Sequence, residues 1–132
     1  CSLPFTGPTM SIESHTSSKE ILGWHWFLDF RQCQSIPSKA SELEAVMVHA
    51  AKLARATVVQ HCFHEFSPHG LTGVLVIAES HFAVHTWPEH RAVCVDIFSC
   101  TATLDIEAAT AYLKETLRCT DAHIRMEERR AY

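Results

Sequence analysis

Apolar positions divide the chain into stretches of two different periods. Leu43, Val46, Met47, Ala50, Leu53 and Ala54 recur at helical spacing and lay one apolar stripe along a helix from about Lys39 to Arg55. Ser41 and Glu44 fit a capping box at its start, and Ser38 competes as the cap. A second stripe, Ile106, Ala109, Leu113 and Leu117, predicts a helix from about Ile106 to Leu117 with Asp105 as its N-cap. The other ordered stretches read as strands: Gly23 to Phe30, Thr57 to Phe66, Leu71 to Glu79, His81 to Trp87, Arg91 to Phe98 and, more weakly, Ala122 to Glu128. Ser67-Pro68-His69-Gly70 and Pro88-Glu89-His90 punctuate them as turns.

This order is strand, helix, a run of closely linked strands, helix, strand. Short links make neighbouring strands antiparallel. Two helices can cover only one face of such a sheet, so the expected fold is an α+β two-layer sandwich. The third to fifth strands are apolar on both faces, so the uncovered face calls for a second copy, and a homodimer packed sheet to sheet is expected. Residues 1–19 are rich in Ser, Thr, Pro and Gly and read as a flexible tail without the pattern of a signal peptide. Residues 20–132 have the size of one domain.

Composition narrows the function. The chain has 132 residues, 47% hydrophobic and 20% charged, with a formal net charge of -4. That is ordinary for a globular protein, and with no basic patch it argues against nucleic acid as a partner. No apolar run approaches the roughly 20 residues that span a bilayer, so no membrane partner is expected. The six cysteines form no C-x-x-C pair. Cys62 and Cys94 fall in strand-like apolar runs, where a buried free thiol is expected, and a reducing cytoplasm suits them.

Candidate chemistry concentrates between Phe66 and Cys100. Ser80 sits at a tight junction between two strands, between Glu79 and His81; His85 lies inside the next strand, and Cys100 ends the one after. A serine, a histidine and a cysteine at strand ends can converge on one pocket as nucleophile and acid/base. Each also has an ordinary reading, as a turn serine, a structural histidine and a small apolar cysteine. The ten histidines raise a metal site as a rival, with His61, His64, His69 and His90 joining His81 and His85. Strand positions four apart are separated by ~13 Å, too far to share one ion, so no metal is expected.

The segments FSPHG (Phe66 to Gly70), VIAESH (Val76 to His81), HTWPE (His85 to Glu89) and the strand ending at Cys100 resemble the bacterial and archaeal, pyruvoyl-dependent class of S-adenosylmethionine decarboxylase. A weaker likeness runs through Gly23, His25, the first helix and Tyr112-Leu113-Lys114-Glu115, covering about residues 20–128. The resemblance implies a proenzyme that cuts itself between Glu79 and Ser80. The Ser80 hydroxyl attacks the preceding carbonyl, and elimination and hydrolysis leave a covalent pyruvoyl group at the new N-terminus. It implies an acid/base role for His85 in that processing, assistance from the hydroxyl of Thr72, and Cys100 as the proton donor. The pyruvoyl carbonyl would form a Schiff base with the substrate amine and act as an electron sink. The product would supply aminopropyl groups for spermidine, a polyamine. Two departures stand out: Gly23-Trp24-His25 where relatives often have Gly-Arg-His, and His90-Arg91 after the HTWPE run. Phe66, Trp24 and Trp26 are aromatic candidates for stacking an adenine. Glu89 and Asp29 would instead suit the distal cation of ornithine or arginine, the substrates of related pyruvoyl decarboxylases. An uncleaved paralogue serving only as a partner subunit is the non-enzymatic alternative.

Overall fold

The computed structural model describes residues 20–132. The expected tail at 1–19 lies outside the described residues. Six strands and two helices follow in the expected order: β1 (Ile21–Arg31), α1 (Ala40–Leu53), β2 (Val58–Glu65), β3 (Leu71–Ile77), β4 (Ser80–Trp87), a 3-10 turn (Pro88–His90), β5 (Ala92–Ser99), α2 (Ile106–Thr116) and β6 (Asp121–Arg130). The sheet order is β2-β3-β4-β5-β1-β6, and every neighbouring pair is antiparallel. The hairpins from β2 to β5 follow from short links. That β1 lies between β5 and β6 is a tertiary fact with no local signature.

Alternation assigns each strand residue to a face. Phe82 and Val84 of β4, Val93, Val95 and Ile97 of β5, Leu28 and Phe30 of β1, and Leu71, Leu75 and Ile77 of β3 are almost wholly buried. They form one core with Leu43, Met47 and Ala50 of α1 and Ala109 and Leu113 of α2, with Leu117 following directly. Burying a side chain of this kind is worth about 1.5–3 kcal/mol, so the helix-covered face carries most of the hydrophobic stabilisation. The other face is open. It carries Val74, Val76, Ala83 and Phe98, but also His25, His81, His85 and Asp96, so it is less apolar than the strand composition suggests.

Helix starts differ in how they are closed. Asp105 caps α2 as expected, its side chain accepting the Ala108 N–H at 3.0 Å. The expected capping box of α1 does not form. Its N-cap is Lys39, which makes no side-chain cap hydrogen bond. The Ala40 N–H instead donates to Glu65 Oε2 at 2.7 Å, from the end of β2. Because the helix begins at Ala40, Ser41 and Glu44 already lie inside it, and a carboxylate distant in sequence takes over the orphan donor. Cysteine burial differs as well. Cys62 is exposed because it lies on the open face of the edge strand β2, and Cys94 is half-buried; among the described residues, Cys33 and Cys119 are the buried thiols.

Gly73 is where a side chain would be costly. It pairs with Phe63 across β2 and β3, and the Phe63 ring lies in the space a Cβ would need. Gly73→Ala should therefore destabilise the protein by about 1–3 kcal/mol, and adding Phe63→Ala should recover part of that loss relative to the sum of the single changes. Urea unfolding of the two single variants and the double variant checks this.

Candidate active site

The β3–β4 hairpin generates the first group of candidate residues. Ile77 pairs with Ser80, so only Ala78 and Glu79 span the turn. Ser80 takes a φ of +154°, in the region that favours glycine. Holding a non-glycine residue there costs on the order of 1–3 kcal/mol, which the surrounding ladders must supply. They do so on both sides: Ser80 pairs with Ile77 of β3 and with Ser99 of β5. The turn is pinned further. The Glu79 carboxylate accepts the Thr57 N–H at 3.1 Å, and the Ala78 N–H donates to the Thr57 carbonyl at 2.8 Å. The backbone carbonyl of Glu79 accepts the Cys100 N–H at 3.0 Å. The peptide bond before Ser80 thus has its nucleophile adjacent and an N–H already polarising its carbonyl, the arrangement that stabilises a developing oxyanion. Cys100 is at this end because β5 ends beside the turn.

A cluster of rings continues from this turn across the open face. Ser80 Oγ lies 3.4 Å from His81 Nδ1. The His81 ring is parallel to that of Phe98, with centroids 6.0 Å apart, and His25 of β1 meets both His81 (6.4 Å) and Phe98 (5.5 Å) edge-on. His25 in turn stacks on Phe27 at 4.3 Å, and Arg125 sits over the Phe27 ring. The His25 Nε2 atom is buried with no hydrogen-bond partner among the described residues. Burial holds the pKa of both histidines below the ordinary 6.5, outweighing the Asp96 carboxylate, which pulls the other way. Both rings are therefore neutral at neutral pH.

The second group lies at the other end of β3 and β4. Thr72 and His85 are opposite each other in the ladder, with Thr72 Oγ1 3.3 Å from His85 Nδ1. They line a cleft of about 430 Å³ together with Phe66, His69, Trp87 and Glu89. Gly70, at φ +102°, turns the chain there, and the Leu71 N–H donates to Thr86 Oγ1 at 2.9 Å. Glu89 Oε1 is 2.9 Å from His69 Nε2 across the mouth. Phe66 is half exposed and meets His64 edge-on at 4.6 Å.

Ser80 and Cys100 are thus brought together, and so are Phe66, Thr72, His85 and Glu89, but the two groups are apart. Five residues of extended strand separate Ser80 from His85, about 16 Å. Trp24 faces the helix-covered side, paired with Ser99 and Glu128, and is not part of the cleft lining; Trp26 packs partly against the core. Asp29 pairs with Cys94, whose thiol is pushed up to about 11, chiefly by burial. In the sequence Phe98 and Asp96 carry no signal of a site, His81 is a candidate metal ligand within the ESH run, and His25 belongs only to the weaker family likeness. Only strand order brings β1, and with it His25, beside β5. Among the described residues, no cluster of three metal-ligating side chains forms.

The statistical model of the S-adenosylmethionine decarboxylase family matches residues 24–130, which includes both groups. The chain belongs to this family. An S-adenosylmethionine decarboxylase proenzyme of Thermodesulfovibrio yellowstonii is 44% identical over 101 residues, covering 74% of this chain and 73% of that protein. One from Thermosipho africanus is 40% identical over 104 residues, covering 78% and 80%. Among solved structures, the adenosylmethionine decarboxylase of Aquifex aeolicus superposes with a TM-score of 0.74 at 29% identity, covering 83% of this chain and 92% of that one. The Aquifex aeolicus enzyme thus shares the α+β sandwich described above.

The two depressed histidines tie stability to pH. As pH falls through 6.5, an unfolded chain protonates His25 and His81 while the folded chain keeps them neutral. The unfolded state then binds more protons, so stability falls as pH falls. The melting temperature should drop between about pH 7 and about pH 5, and His25→Phe should flatten that dependence. Thermal unfolding across the pH series is the check.

Proposed function

We propose that this protein is a proenzyme that cleaves itself between Glu79 and Ser80 and then decarboxylates S-adenosylmethionine, supplying aminopropyl groups for spermidine and other polyamines. The observation that carries the processing step is the strained Ser80 beside a Glu79 carbonyl already held by the Cys100 N–H. Attack of Ser80 Oγ on that carbonyl replaces the amide by an ester and relieves the backbone conformation. The residues fit a pyruvoyl group made from Ser80: it would sit at the head of β4, held between β3 and β5, with Cys100 next to it. Such a group supplies an electron sink for loss of carbon dioxide. Cys100 is the proton donor to the substrate carbon, and Thr72 and His85 are the hydroxyl and acid/base pair. The enzyme works in the cytoplasm, where free thiols persist.

The same geometry supports the homodimer. In one chain, His85 and Ser80 are too far apart to act together. A second copy packed on the open face under a two-fold axis would set one copy's Thr72–His85 cleft against the other's Ser80–Cys100 turn, and would do so twice. Val74, Val76 and Trp87, each more than a third exposed on that face, would be covered. Phe66 and Trp87 offer aromatic surface for an adenine, and Glu89 a carboxylate for a cationic group. Glu89 already has His69 as a partner, whereas Phe66 is half exposed at the cleft, which favours S-adenosylmethionine over ornithine or arginine.

Wild-type protein should run as two chains on a denaturing gel, and Ser80→Ala as one. Carbon dioxide should be released from carboxyl-labelled S-adenosylmethionine, with ornithine and arginine at least about tenfold weaker and kcat/KM reduced about tenfold in Phe66→Ala. Sedimentation should give a dimer. An uncut, fully active wild-type chain would refute the processing, and turnover of a diamino acid alone would refute the substrate.

A further inference from the structure

We infer that His81 is the base that takes the Ser80 hydroxyl proton during self-cleavage, a role separate from that of His85. This inference rests on the processing step proposed above. The first requirement is reach. His81 Nδ1 is 3.4 Å from Ser80 Oγ, at the long end for a hydrogen bond but within the range seen before a catalytic contact tightens. His85 of the same chain is about 16 Å along the strand. The second requirement is a restrained ring. Phe98, paired with His81 across β4 and β5, lies parallel to it, and the His25 ring stands perpendicular to it at 6.4 Å. The third is an unprotonated nitrogen. The groups facing His81 from the packed strands are Asp96 of β5 and His25 of β1; beyond His25, β6 adds Arg129 and Glu127. Burial prevails over Asp96 and keeps the imidazole neutral.

The step balances within the residues present. The Ser80 O–H proton moves to His81 Nδ1 as Oγ bonds to the Glu79 carbonyl carbon. The oxygen of that carbonyl takes the negative charge and is held by the Cys100 N–H. Collapse then breaks the bond from the Glu79 carbon to the Ser80 nitrogen, which receives the proton back from the imidazolium. The products are an ester and a free amine, with no co-reactant. His85 is left for the later elimination, which removes a different proton, that on the Ser80 α-carbon.

The experiment expresses wild type, Ser80→Ala, His81→Gln and His81→Ala and follows cleavage on denaturing gels, with and without hydroxylamine, which cuts an ester but not an amide. His81→Gln should cleave at least about 100-fold more slowly than wild type, the scale of a lost general base. Its uncut chain should resist hydroxylamine, because the ester never forms. Added imidazole should restore cleavage in His81→Ala. In wild type, the acid limb of the cleavage rate should lie below pH 6.5. Circular dichroism and melting temperature confirm that each variant is folded. Should either variant misfold, the wild-type pH profile decides, and an acid limb at or above 6.5 overturns the proposal. Cleavage of His81→Gln at the wild-type rate overturns it, as does an uncut His81→Gln chain that hydroxylamine does cut. Wild type that never cleaves would instead overturn the processing step itself.

Discussion

The site depends on a two-residue turn that the sheet does not allow to relax. Ser80 is paired on both sides, with Ile77 and with Ser99, and those pairs hold it at a positive φ that an isolated hairpin would abandon. Both neighbouring strands are anchored by residues such as Leu75, Phe82, Val95 and Ile97 on the helix-covered face. Hydrophobic burial on one side of the sheet thus maintains backbone strain at the end of an interior strand. Under the proposed self-cleavage, breaking the peptide bond before Ser80 would release that strain.

The open face carries the other candidate residues. Thr72 and His85 lie toward one end of β4 and His81 toward the other, with Asp96 opposite Ala83 between them, and one chain alone does not bring the two ends together. Under the proposed two-fold the ends become complementary, so dimerisation would assemble the site as well as cover Val74 and Val76. The mixed character of the face agrees with this, because an interface that only excluded water would have no use for Asp96, His81 and His85.

Between the two ends, electrostatics is set by burial more than by charge. Asp96 would raise the pKa of His25 and His81, yet packing against Phe27 and Phe98 removes enough water to reverse the sign. A neutral imidazole beside a serine hydroxyl can accept a proton, whereas an imidazolium cannot.

Much of the fold was legible in the amino-acid pattern. Leu43, Met47 and Ala50 at helical spacing, Asp105 before an apolar stripe, and Pro and Gly at the turns are local signals, because helix periodicity, capping and turn chemistry act over a few residues. The FSPHG, ESH and HTWPE runs likewise carried the family, and with it the candidate nucleophile Ser80. Other features depend on partners distant in sequence. Glu65 replacing the expected cap of α1 and β1 entering between β5 and β6 are settled by long-range pairing. The same holds for the approach of His25 to His81. Strand spacing converts a gap of five residues into about 16 Å, and a gap of 56 residues (81 − 25) into a ring contact of 6.4 Å. Residue types and their local order therefore determined the elements and the chemistry on offer, whereas long-range pairing decided which groups meet, because contact across a sheet is independent of distance along the chain.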